Sequence, residues 1–246
     1  YHDSIVPDYL IDIQYGTKLN AGVINKSMAN STDTADTANT PGTSGQIYPG
    51  TFSAKVINRK ELFTGPIFKV ERLNVQLEGI AGTADDPVTI QRDLITHSPC
   101  VVMLVHDVPG DRYLLQYEYR VGAGRFVPGI PAGFIDEGES PEEAMLREIR
   151  EETGIIPAEA SGAAASYSID HAGAFYSSEG MTNELAHIAV IHLYQWEQSE
   201  QHLDAQEYIR GAWVDWDTLL GSGITASNST IAVQHEMIRR LKMKIK

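Results

Sequence analysis

The chain has 246 residues, 42% of them hydrophobic and 21% charged, enough for one large domain or a compact pair with a real core. Its net charge of -14, with no basic patch, argues against nucleic acid or an anionic membrane as the main partner. Cys100 is the only cysteine, so an intramolecular disulfide is excluded; no apolar run is long enough to span a membrane and no signal-peptide pattern opens the chain, so a cytoplasmic protein is expected.

Residues 28–46 are nearly all Ala, Ser, Thr, Asp, Asn, Gly and Pro. Such a stretch cannot bury enough apolar surface to offset its ordering entropy, and residues 1–50 are expected to be a flexible tail. Met28 opens the polar tract as a natural N-terminus would, which would make residues 1–27 upstream sequence, although SIVPDYLIDI there has weak strand character. From about residue 51 the pattern alternates apolar and polar residues around Gly65-Pro66, as antiparallel strands do. After a loop at 79–87, a further strand is expected at 88–97, so that 51–97 form a small all-β unit, too small to stand comfortably alone. CVVMLVHD (100–107) and RYLLQYEYR (112–120) read as a strand pair joined at Pro109-Gly110, with Cys100 a buried strand residue and not a nucleophile.

Residues 133–155 read GFIDEGESPEEAMLREIREETGI. Ser140, Pro141 and Glu143 make a capping box with proline at the first helical position, and Gly154 is placed as a left-handed C-cap, so a helix is predicted over 141–153. On it Glu148, Glu151 and Glu152 share a face, Met145 and Ile149 form a stripe that can bury against a sheet, and Arg147 and Arg150 are expected to point away from the acids. Three crowded carboxylates repel one another, and a hard divalent cation such as Mg2+ relieves that with oxygen ligands. The plain alternative is a solvated acidic helix, but glycine loop, cap and register agree on something more specific.

Gly133, Glu139, Arg147, Glu148, Ile149, Glu151, Glu152, Gly154 and Ile155 fit every fixed position of G-x5-E-x7-R-E-U-x-E-E-x-G-U, with U aliphatic. The segment resembles the signature of the Nudix hydrolases, which use divalent cations to split a diphosphate linked to another group. IPAGFIDEGE (130–139), LLQYEYRVGAGRF before it and KELFTGPIFKVERL further upstream are similar to the ADP-ribose and nucleotide-sugar pyrophosphatase branch. The likeness covers about residues 52–240. It implies an α+β fold, a Nudix α/β/α sandwich with a mixed sheet over 98–246, preceded by a small antiparallel β dimerisation domain over 51–97 that crosses to a partner chain and completes its pocket.

The resemblance also implies roles. Glu148, Glu151 and Glu152, with the Ala132 carbonyl, are the metal-ligand candidates, for Mg2+ with Mn2+ as a second option. Gly133 allows close backbone approach. Glu139 and Arg147 orient loop and helix through a salt bridge. Arg120 binds the diphosphate, as a guanidinium fork suits phosphate oxygens. SSEGMTNE (177–184) stands where this branch carries S-P-G-x-x-x-E, making Glu184 the general-base candidate; Glu179 replaces the usual proline and is a second candidate. A loop base could close over substrate. The expected reaction is hydrolysis, by a homodimer, of the diphosphate of ADP-ribose or a related nucleoside diphosphate sugar to a nucleoside monophosphate and a sugar phosphate, ADP-ribose giving AMP and ribose 5-phosphate. UDP- or GDP-sugars are the rival substrates, and a non-catalytic ADP-ribose-binding sensor is the rival class.

Downstream, 164–178 and 184–196 read as strands, 208–220 as a strand entering a short helix, and 230–246 as a C-terminal helix with basic residues late. His187 and His192 are expected to pack, Trp213 and Trp216 likewise; His171 lies near the loop with nothing in its spacing to give it a role.

Overall fold

The computed structural model describes residues 53–79, 87–158, 165–203 and 208–245; the expected tail at 1–50 and most of the 79–87 loop lie outside these residues. Three antiparallel strands come first, β1 (Ser53–Thr64), β2 (Phe68–Glu78) and β3 (Val88–His97), hydrogen-bonded in that order. The Gly65 N–H closes the β1–β2 turn on the Phe68 carbonyl at 3.0 Å. Within these strands only Leu73 is buried. Alternation has nothing on either face to bury deeply, so this sheet has no core of its own.

The second sheet is mixed. β4 (Cys100–Asp107) and β5 (Arg112–Arg120) match the strands read from the sequence, as do β9 (Tyr167–Tyr176) and β10 (Leu185–Leu193) within one to three residues at most ends. Short pieces fill in around them: β6 (Arg125–Gly129) on β5, β7 (Ala132–Phe134) on β4, and β12 (Arg210–Val214) at the far edge. The main path runs β12-β5-β4-β10-β9, with β4 and β10 parallel and the other pairs antiparallel. β8 (Ile155–Pro157) and β11 (Trp196–Gln198) form a separate two-stranded ribbon.

Helices cover both faces. α1 (Pro141–Thr153) lays Met145 and Ile149 on Val101, Met103 and Val105; α2 (Trp216–Leu220) and α3 (Ser227–Lys244) set Leu219 and Ala232 against Val102, Leu104, Ile188 and Val190. Odd and even residues of β4 thus enter opposite cores, which is why that strand is an unbroken apolar run. This is the expected α/β/α sandwich. α1 has its capping box as read, with Ser140 N–H donating to Glu143 at 2.9 Å and Glu143 N–H to the Ser140 hydroxyl at 3.2 Å, and Gly154 closes it at φ 70°. α3 starts at Ser227, earlier than its apolar pattern shows, because its first turn is Ser-Asn-Ser-Thr. No helix among the described residues is long and apolar enough to cross a membrane.

Beneath α3 lies a buried polar cluster. His106 and His192 meet Nδ1 to Nδ1 at 2.9 Å, so one ring donates while the other presents a lone pair. The Tyr113 hydroxyl donates to Glu236, which Arg239 also holds, and Glu236 is fully buried. Burial, reinforced by Arg239, pushes His192 down to about 4, and burial also lowers His106. A folded-state pKa below the unfolded one gives stability that is complete above the unfolded value and is lost as pH falls through the folded value. Melting temperature is therefore expected to drop between pH 6.5 and about 4, with His192 contributing at most about 3 kcal/mol. His192→Asn should flatten that slope in a thermal-melt series; parallel slopes for variant and wild type would remove His192 as a source.

Candidate active site

A cavity of 1080 Å3 takes in Glu148, Glu151 and Glu152 of α1, Gly133 of β7, Arg120 at the end of β5 and Glu184 just before β10. The topology gathers them. β7 pairs with β4 and places the glycine loop over α1, while β10, parallel to β4, brings the loop that precedes it to the same end.

Glu152 is 5% exposed, and its Oε2 accepts from the Gln116 amide and the Ala132 N–H, each at 3.3 Å. Glu148 lies directly beneath Gly133: a Cβ on residue 133 would overlap the Glu148 carboxylate, so only glycine leaves that carboxylate its place. Glu151, the most exposed of the three, reaches Arg147 at 3.0 Å.

The structure corrects the expectation for Arg147. Its guanidinium does not point away from the acids but sits among them, donating to Glu139 through two nitrogens at 2.9 Å, to Glu148 at 2.8 Å, to Glu151 at 3.0 Å and to the Phe134 carbonyl at 2.8 Å. The hydrogen bond to Glu139 raises Arg147 above its ordinary range and in return holds the Glu139 carboxyl below its own. Glu139 also accepts from Asp136 N–H at 3.1 Å, so the pair ties loop to helix. Arg150 is exposed, as expected.

Among the described residues no three acidic, His or Cys side chains converge as a ready-made cation set, since Arg147 holds two of the acids and Glu152 faces Gln116 and Ala132. The donors are nonetheless all hard oxygens on one cavity wall, which is the chemistry a divalent cation such as Mg2+ takes. Gly133→Ala is expected to keep the fold, because only the mobile end of Glu148 must give way, while turnover falls at least about tenfold as that carboxylate is displaced. Circular dichroism with a rate assay tests this; an unchanged rate contradicts it.

The two loop acids separate. Glu184 faces the cavity, its Oε1 accepting from the Ser177 hydroxyl and its Oε2 lying 3.2 Å from His97 Nδ1. Glu179 is exposed at the loop's turn and is not on the cavity wall. The loop itself is tied down on β3, with Ile95 N–H donating to the Met181 carbonyl at 2.9 Å and Asn183 N–H to the Ile95 carbonyl at 3.3 Å. Arg120 lines the cavity with its head half-exposed and paired to Glu118 at 2.8 Å. His171 pairs with Glu142 at 3.4 Å outside the cavity, His192 is buried, and Trp213 and Trp216 pack on the two cores. Cys100 is buried on the cavity floor, its thiol pushed up to about 12 by burial and then by Glu184, so it is no nucleophile. Two residues at the site went unread in the sequence. Gln116, a polar residue in the apolar RYLLQY, was the one with a signal; His97 had none.

Helix, glycine loop and mixed sheet together define a known class. The NUDIX domain family model matches residues 96–234, and the chain belongs to that family as a hydrolase of pyrophosphate bonds. It is similar to the ADP-ribose pyrophosphatase of Bacillus subtilis (strain 168), 26% identical over 155 residues, 63% of this chain and 75% of that one. The methanol dehydrogenase activator of Bacillus methanolicus is 24% identical over 188 residues, 75% of this chain and 92% of that one. The ADP-sugar pyrophosphatase of Mus musculus is 37% identical over 84 residues, 32% of each chain. A crystal structure of an ADP compounds hydrolase shares the fold at a TM-score of 0.57 and 18% identity, covering 76% of this chain and 95% of that one.

Proposed function

We propose that the chain hydrolyses the diphosphate of ADP-ribose, or of a closely related ADP-sugar, with Mg2+ or Mn2+ as cofactor. The observation that carries this reading is the complete acidic motif set on one cavity wall, facing an arginine and a separate glutamate. Water adds to one phosphorus, the bridging P–O bond breaks, and AMP and ribose 5-phosphate leave. Glu148, Glu151 and Glu152, with the Ala132 carbonyl, would hold the divalent cation, which would supply charge neutralisation for the diphosphate and make the attacking water more acidic. Glu184 orients the attacking water and takes its proton. Arg120, half-exposed at the rim, exchanges Glu118 for phosphate oxygens. Arg147 and Glu139 keep loop and helix in register.

The substrate assignment rests on the relatives' ADP-ribose and ADP-sugar activities and on Glu184 being the loop acid in the cavity. Product release with Mg2+ across ADP-ribose, UDP-glucose, GDP-mannose, NADH and a nucleoside triphosphate tests it. ADP-ribose is expected to be fastest. A preference for UDP- or GDP-sugar moves the specificity and leaves the chemistry, whereas ADP-ribose binding without turnover means a sensor.

The domain division at 51–97 and 98–246, and a homodimer, belong to the same reading. Every residue of β1 is exposed, including Val56, Ile57, Leu62 and Phe63, with Ile67 and Phe68 beyond the turn. An apolar edge of that size is covered in a stable protein. Light scattering at single-chain mass would remove the dimer.

A further inference from the structure

We infer that His97, at the end of β3, is a positioning residue that holds Glu184 in its working orientation. The inference rests on the reading of Glu184 as the group that orients the attacking water.

Four observations carry it. First, β3 is an edge strand, and the loop before β10 adds to its free edge: Ile95 and Thr182 form a parallel bridge, and Asn183 Oδ1 accepts from the His97 N–H at 2.9 Å. The end of β3 and the loop acid therefore share one frame. Second, His97 Nδ1 faces two oxygens, the Ser98 carbonyl at 3.0 Å and Glu184 Oε2 at 3.2 Å. The Ser98 carbonyl only accepts, so Nδ1 carries the proton and donates to it, which leaves that N–H dipole beside the Glu184 carboxylate at ion-pair distance. Third, the ring is fixed against Phe134, with centroids 4.8 Å apart, and the Phe134 carbonyl is itself bound by Arg147. Fourth, the other oxygen of Glu184 is held by Ser177, whose hydroxyl accepts from Asn228 of α3 at 2.9 Å. One carboxylate oxygen is thus hydrogen-bonded by Ser177, and the other lies 3.2 Å from the His97 ring nitrogen. A loop glutamate without these partners has several rotamers to choose from, and losing one of them costs residence in the productive pose.

The test is steady-state AMP release from ADP-ribose, with Mg2+, by the full chain and its variants. His97→Ala should lower kcat about ten- to a hundredfold with KM within about twofold, because the substrate contacts stay and only the base is released. His97→Asn places an amide N–H near the Nδ1 position without a ring and should restore kcat to within about threefold. In a Glu184→Gln background His97→Ala should cost less than about twofold more, since it acts through Glu184. Wild-type kcat in His97→Ala, a folded His97→Asn that restores nothing, or additive losses in the double variant would each overturn the inference. If Glu184→Gln is costly while His97→Ala is harmless, only the positioning role fails; if Glu184→Gln itself turns over normally, the reading of Glu184 fails and the inference goes with it.

Discussion

Glu152→Gln should abolish turnover, by about a thousandfold or more, with little change in melting temperature. Glu152 is the buried member of the acidic face, and its Oε2 is fixed by the Gln116 amide and the Ala132 N–H. A glutamine oxygen accepts the same two hydrogen bonds, so packing survives. What is lost is a full negative charge on the cavity wall, one the proposed divalent cation would need to sit against a diphosphate. Loss of one charged ligand weakens both cation affinity and the charge stabilisation supplied to the departing phosphate. Rates measured over a Mg2+ series separate these: excess metal should recover only a small part. A variant with near-normal rate would remove Glu152 from the metal site.

Glu184→Gln is expected to lower kcat about a hundred- to ten-thousandfold, the range for a positioned general base, while KM moves little. The amide can stay in place, its NH2 donating to Ser177 and its oxygen lying beside the His97 ring, so the loss belongs to chemistry and not to the loop. Glu179→Gln is the control. Exposed and off the cavity wall, it should run at the wild-type rate. The reverse pattern, with Glu179 essential and Glu184 dispensable, would mean that the loop adopts another arrangement when substrate binds.

Much of this is legible in the sequence. β3, β4 and β5 follow from unbroken or alternating apolar runs bounded by Pro and Gly, and α1 from a cap at each end, all short-range signals. β6, β7, β8 and β11 are not legible, because runs of three to five residues are too short to show a period, and their pairing is set by distant partners. Helical spacing places Glu148, Glu151 and Glu152 toward the cavity but misplaces Arg147. Helical spacing fixes where a Cβ leaves the backbone, but a long arginine can bend to its i+1 and i+4 neighbours, and the folded glycine loop brings Glu139 and the Phe134 carbonyl to meet it. That Glu184 lines the cavity and Glu179 does not follows from the parallel β4–β10 pairing, and the His97 contact from β3 docking on a loop far along the chain; neither leaves a mark in local sequence.

The most direct test of the account is AMP release from ADP-ribose by the wild-type chain, stripped with chelator and then titrated with Mg2+ and, separately, Mn2+. The account predicts no turnover in the stripped protein and restoration by added cation to a saturable rate, with AMP and ribose 5-phosphate in equal amounts. Turnover indifferent to chelator, or tight ADP-ribose binding with no product at saturating metal, would contradict it.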